Sequence, residues 1–221
     1  MRERCSAIEA EEEAVICTGL SIARIVAIRP FVVNKGEKSG APASIAYVAR
    51  HLYHTAMHAR TADGGVTLVL GVGNAMKGDD GVGPLVAAAL TDRAARLSST
   101  GGAPIEAIDC GTTPENYTGV LRRLRPAKLI VVDAAEMGLE AGQCRVIPHE
   151  RAGSVGMSTH SMPLSLFVSY VQEMVGSVTL IGVQPQSMRF GARMSPEVAA
   201  AAERLVSILT EGREGEIEAL N

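Results

Sequence analysis

The chain has 221 residues, 47% of them apolar and 20% charged, and carries 21 basic against 24 acidic side chains for a formal charge of -3. At roughly 150 residues per domain this is one domain with an appendage, apolar enough to bury a sizeable core, which excludes a disordered or fibrous chain. The charge balance and the aromatic count, four Tyr, three Phe and no Trp, supply neither the cations nor the stacking rings that nucleic acid demands, and no apolar stretch is long enough for membrane insertion.

Residues 1 to 64 differ in texture from the rest. An acidic run at Glu9, Glu11, Glu12 and Glu13 follows Met-Arg-Glu-Arg, the wrong order of regions for a secretion signal. Arg24 and Arg29 interrupt the apolar stretch that comes next, and Pro, Gly, Ser and Ala accumulate near residues 30 to 45. The cysteines, Cys5, Cys17, Cys110 and Cys144, form no Cys-x-x-Cys pair, so a reduced, cytoplasmic protein is expected. His51, His54 and His58 share one face if helical, but no carboxylate or cysteine pattern accompanies them to complete a metal site.

From Val66 onward strands and helices alternate. Val66 to Val72 is β-rich and almost wholly apolar, as in a strand covered on both faces. A helix is predicted over 82–97, a strand over 105–109, a helix opening at Pro114 and Glu115, and a buried strand over 129–132. A short strand over 144–147, a helix over 163–174 and a strand over 178–183 follow. Ser195-Pro196-Glu197 reads as an N-cap with Pro at the first helical position, opening a last helix that runs to Thr210. Residues 213–221 read as a loose tail. Strands separated by helices of this length pair in parallel through right-handed crossovers, giving an α/β sandwich with helices on both faces of the sheet.

The glycine-rich segment from Gly71 to Gly83 follows the first strand, where an open parallel sheet places its ligand loops. Met76 stands where a dinucleotide fingerprint needs its third glycine, and Lys77-Gly78-Asp79 replaces the Gly-Lys-Ser/Thr of a phosphate loop. Asp79 and Asp80 would also repel phosphate. Two adjacent carboxylates in such a turn suit a cation or proton transfer; the competing reading is that they cap the helix that follows. Asp133 ends the strand at 129–132 and is a possible partner for Asp80, or else a loop cap, and Asp109 has the same ambiguity. His160 lies in a polar turn just before a helix. No Gly-x-Ser-x-Gly elbow is present, Ser158 and Ser161 flank His160 too closely to form a triad with it, and the cysteines lack an activating context. Arg122, Arg123, Arg125 and Lys128 make a local basic patch, either a solvated helix end or a dock for an acidic segment.

Taken in order, Gly73-Asn74, Gly78-Asp79-Asp80-Gly81-Val-Gly-Pro84, Pro114-Glu115-Asn116, Val131-Val-Asp133, Ser158-Thr-His160-x-Met-Pro163 and Gly182-Val-Gln-Pro185 resemble the hydrogenase maturation proteases. The resemblance covers residues 66 to 210 and is greatest to the branch serving formate-hydrogenlyase hydrogenases. It implies an aspartic-type endopeptidase that trims a C-terminal extension from the large-subunit precursor of a nickel-iron hydrogenase once nickel is in place. The implied fold is a three-layer α/β sandwich around a twisted, mainly parallel sheet.

By motif, Asp80, Asp133 and His160 would be the nickel-recognising ligands, with Asp80 and Asp133 also catalytic. Gly73, Asn74, Gly78 and Asp79 would line the substrate loop. Nickel would arrive in the precursor rather than as a resident cofactor. A hydrogenase chaperone that binds without cutting, and a small-molecule hydrolase on the same sheet, are the competing functions. Family members begin shortly before the first strand, so residues 1–64 are an atypical extension, and Met57 would be the true start if residues 1–56 are an over-extended reading frame.

Overall fold

The apolar runs read from the sequence are the strands of one sheet. A computed structural model of the chain describes residues 65–97, 105–153, 155–157 and 163–221. The extension before residue 65, with Met57 and the three histidines at 51, 54 and 58, lies outside them, as does His160. Strands β1 (Thr67–Val72), β2 (Ile105–Gly111), β3 (Lys128–Glu136), β4 (Cys144–Ile147) and β6 (Ser177–Val183) lie in the order β2-β1-β3-β6-β4. All neighbours in this order are parallel except β4, an antiparallel edge strand on β6. The two-residue β5 (Gly156–Met157) pairs antiparallel with the end of β3.

Because side chains alternate along a strand, the two faces of the sheet bury different sets. Leu68, Leu70, Leu129 and Val131 point into one core with Val120, Leu121, Phe167 and Val171, from helices α2 (Thr118–Leu124) and α3 (Leu164–Val171). Val69, Ile130, Val132 and Ile181 point into the other, with Val86 and Leu90 of α1 (Val82–Leu97) and Ala201 and Leu205 of α4 (Pro196–Thr210). The expected three-layer sandwich is thus the observed one. Among the described residues, no helix is long and apolar enough to cross a membrane.

Two glycines fix how α1 leaves β1. A Cβ on Gly83 would stand 2.2 Å from the Val72 carbonyl oxygen and 2.5 Å from that of Val132, and one on Gly71 would stand 2.1 Å from the Gly83 carbonyl oxygen. The start of α1 is therefore pressed against the carboxyl ends of β1 and β3, an approach only glycine permits.

Four local expectations change. The helix expected from Pro114 begins as a 3-10 turn (Pro114–Tyr117) before α2, and α3 is shorter than 163–174. Ser195 stands at the N-cap of α4, but its hydroxyl makes no capping bond and has no partner. The tail is not loose: Glu214 pairs with Lys128, the Val146 N–H donates to the Glu218 carbonyl, the Leu220 N–H donates to that of Val146, and Leu220 is buried in the core. These contacts cover the free edge of β4, which would otherwise expose unpaired backbone groups. Truncation after Ile217 should therefore lower the unfolding free energy by about 2 kcal/mol in urea denaturation, the sum of one buried leucine and two backbone bonds less the ordering cost.

Candidate functional site

The chain runs from β1 to β2 on one side of the sheet, then crosses back so that β3, β6 and β4 build the other side. The order of strands reverses between β1 and β3, and in an open parallel sheet ligands bind in the crevice outside the carboxyl ends at such a point. Asp80 and Asp133 both belong to this edge. Asp80 lies in the 3-10 turn Gly78–Gly81 after β1, which packs against β3. Asp133 follows Val132, the last residue of β3 in register with β1, and lies opposite Gly182 of β6.

Both carboxylates are buried, Asp80 at 1% and Asp133 at 0% exposure. The Oδ2 of Asp80 accepts a hydrogen bond of 3.1 Å from the Asn74 N–H, while its buried Oδ1 has no partner. An ionisable oxygen taken out of water and left unpaired costs stability, so it marks a place where a ligand completes the bonding.

Asp79, its neighbour, is different in kind. It is fully buried, and its Oδ2 accepts from the Gln186 and Ser187 N–H groups at 2.8 and 2.9 Å while Oδ1 accepts from the Ser195 N–H at 2.6 Å. Its carboxylate is spent on pinning the segment 186–195 to the loop that carries it. Neither aspartate caps α1, since their bonds go elsewhere. Gly78, at φ +59°, would bring a Cβ within 2.6 Å of the Ser187 carbonyl oxygen, so it too serves this packing. Gly73 is similarly constrained at φ +136°, with a Cβ position 1.8 Å from the Asp80 carbonyl oxygen. Asn74 forms an Asx turn, its Oδ1 accepting from the Met76 N–H at 2.9 Å.

Asp109 is exposed, and its Oδ1 accepts from the Gly111 N–H at 2.9 Å, the loop-capping role. The basic patch is divided: Lys128 pairs with Glu214 and Arg122 donates to the Tyr170 hydroxyl. Burial pushes the Cys110 thiol well up, and pushes that of Cys144 up to about 11 against the opposing pull of Arg204 and Arg145, so neither is a thiolate nucleophile at neutral pH. Among the described residues, which do not include His160, no three His, Cys, Asp or Glu side chains gather as a metal site.

One positioning residue escaped the sequence reading. Gln184 is buried, its Oε1 accepts from the Met137 and Leu139 N–H groups at 2.7 and 3.2 Å, and its Nε2 donates to Glu136 at 2.9 Å. It ties the end of β6 to the loop leaving β3. A glutamine between a buried strand and Pro185 was the available signal, because a buried amide needs several partners.

The sequence pattern of the HycI hydrogenase maturation proteases matches residues 92–212, and the chain belongs to the hydrogenase maturation protease family. Among individual proteins, it is 38% identical over 149 residues to the hydrogenase 3 maturation protease of Escherichia coli K12, spanning 67% of this chain and 90% of that one. A crystal structure of the hydrogenase 3 maturation protease superposes with a TM-score of 0.61 at 35% identity, covering 72% of this chain and 99% of the other. The nickel-iron hydrogenase maturation protease HycI of Thermococcus kodakarensis gives 0.57 at 31% identity, covering 69% and 95%. The resemblance to the formate-hydrogenlyase branch and the sandwich fold both hold.

Proposed function

We propose that this protein is an aspartic-type endopeptidase that removes the C-terminal extension from a nickel-loaded large-subunit precursor of a nickel-iron hydrogenase, in the cytoplasm. The observation that carries this reading is the buried, unpartnered Oδ1 of Asp80 at the sheet edge it shares with buried Asp133. Carboxylate oxygens and an imidazole nitrogen form a borderline donor set suited to divalent nickel, and so small a set leaves positions for the thiolates of the precursor.

His160 is the third ligand in this proposal. By motif it is the histidine of Ser158-Thr-His160-x-Met-Pro163, in the turn that precedes α3 in sequence. Nickel is then part of the substrate, and a precursor without it lacks the group that anchors its tail. Asp80 and Asp133 supply acid and base for attack by water on the scissile amide.

Gel analysis of precursor cleavage tests the reading. Wild-type protein should release the C-terminal peptide from nickel-loaded precursor and leave nickel-free precursor whole, while Asp133→Ala and His160→Ala should each slow release by at least about a hundredfold with the fold intact. Binding of the precursor without release of any peptide would point to an escort and overturn the protease reading. Normal cleavage by either variant would overturn the site.

A further inference from the structure

A chain of hydrogen bonds leads outward from Asp80. Its Oδ2 accepts from the Asn74 N–H, Asn74 Oδ1 accepts from the Met76 N–H, and the Met76 carbonyl accepts from the Gly191 N–H at 2.8 Å. Met76 and Phe190, at the outer end of this chain, are 60% and 71% exposed. Single exposed apolar residues are ordinary. Here two large ones stand on loops bonded directly to each other, one of them four residues from Asp80 and its unpartnered Oδ1.

The second loop is held open by design of its backbone. The Ala192 N–H donates to the Arg189 carbonyl at 3.1 Å, and Gly191 has φ +76°, the positive angle that a type II turn demands at its third residue. Phe190 is thereby fixed at the apex. Exposed Arg189 and Arg193 flank it, and neither makes an ion pair among the described residues. Asp79 fastens the whole segment to the loop of Asp80 through the Gln186, Ser187 and Ser195 N–H groups.

We propose that Met76 and Phe190, flanked by Arg189 and Arg193, form a docking rim for an apolar side chain set among carboxylates in the precursor segment that enters the site, and that Asp79 is the positioning residue holding this rim beside Asp80. The inference rests on the protease reading for the identity of the partner. Its grounds are continuity with the site through the hydrogen bonds above and the charge complement of two unpaired guanidinium groups. Apolar contact supplies the affinity, and the arginines set register and the rate of encounter.

The test uses the full-length protein and nickel-loaded precursor, with the double variants Met76→Ser/Phe190→Ser and Arg189→Glu/Arg193→Glu. Arg122→Glu serves as a charge-reversal control; it borders a separate groove of about 500 Å³ between α2 and α3. Binding is measured by fluorescence anisotropy and cleavage by initial rates. Each double variant should raise Kd and KM about tenfold with kcat within about twofold, and the control should match wild type. The loss from the arginine pair should shrink at high salt.

Unchanged Kd and KM in both double variants would sink the rim, and so would a loss confined to kcat, which would make these loops part of the chemistry. Wild-type protein that binds the precursor without cutting it, with Kd still raised in the variants, would leave the rim standing and remove the protease reading. Absence of binding by wild type would remove both.

Discussion

Asp80→Asn should reduce precursor cleavage by about two to four orders of magnitude while leaving the midpoint of thermal unfolding unchanged or slightly raised. The expectation comes from the unequal state of the two carboxylate oxygens. Oδ2 accepts one bond from the Asn74 N–H, which the carbonyl of an asparagine can still accept. Oδ1 is buried with no partner, so the charge it carries is desolvated without compensation. Removing that charge takes away a cost of folding, and takes away with it the ligand and proton acceptor of the proposed chemistry. Calorimetry beside the gel assay checks both halves; a large fall in stability would mean that Asp80 is held by bonds the fold depends on.

Asp79→Ala should behave in the opposite way, costing about 3 to 5 kcal/mol of unfolding free energy, because three N–H groups, the one of Ser195 buried and the other two partly so, lose a charged acceptor at once. A domain of this kind has only about 5 to 15 kcal/mol in total, so the variant should sit near the edge of folding at 37 °C. Urea denaturation with an unchanged slope is the measurement. A cost below about 1 kcal/mol would show that the 186–195 segment is fastened by its other contacts, such as the Asp79 N–H to the Ser187 carbonyl. Adjacent aspartates in one turn thus carry opposite expectations, one for chemistry and one for architecture.

The sequence distinguished the strands and the last helix because their apolar runs and Pro196 are local signals, and it placed Asp133 at the end of one such run and Asp80 in the glycine-rich loop that follows another. Only the family motif separated Asp79 from Asp80; the local pattern, two adjacent carboxylates in a glycine-rich turn, did not, and it did not reveal that Asp79 is an anchor. The partners that consume Asp79 stand more than 100 residues away, on a loop with no pattern of its own. The same limit explains the tail: Leu220 follows a polar stretch with no strand or helix pattern, and the free edge of β4 gives it a place to be buried. β3 runs on to Glu136, past the apolar run, because β5 pairs with its end. Ser195 carries the residue type of a cap, yet its amide is claimed by Asp79 and its hydroxyl by nothing.

The reversal of strand order between β1 and β3 bears on when this protein can act. The two walls of the crevice come from stretches of chain that meet only after β2 and α2 have been laid down and β3 has docked on the opposite flank of β1. A half-made or partly unfolded copy therefore possesses Asp80 or Asp133 but not the pair of them together. On the proposed reading, the crevice is therefore assembled only in a copy whose sheet is complete across β1 and β3.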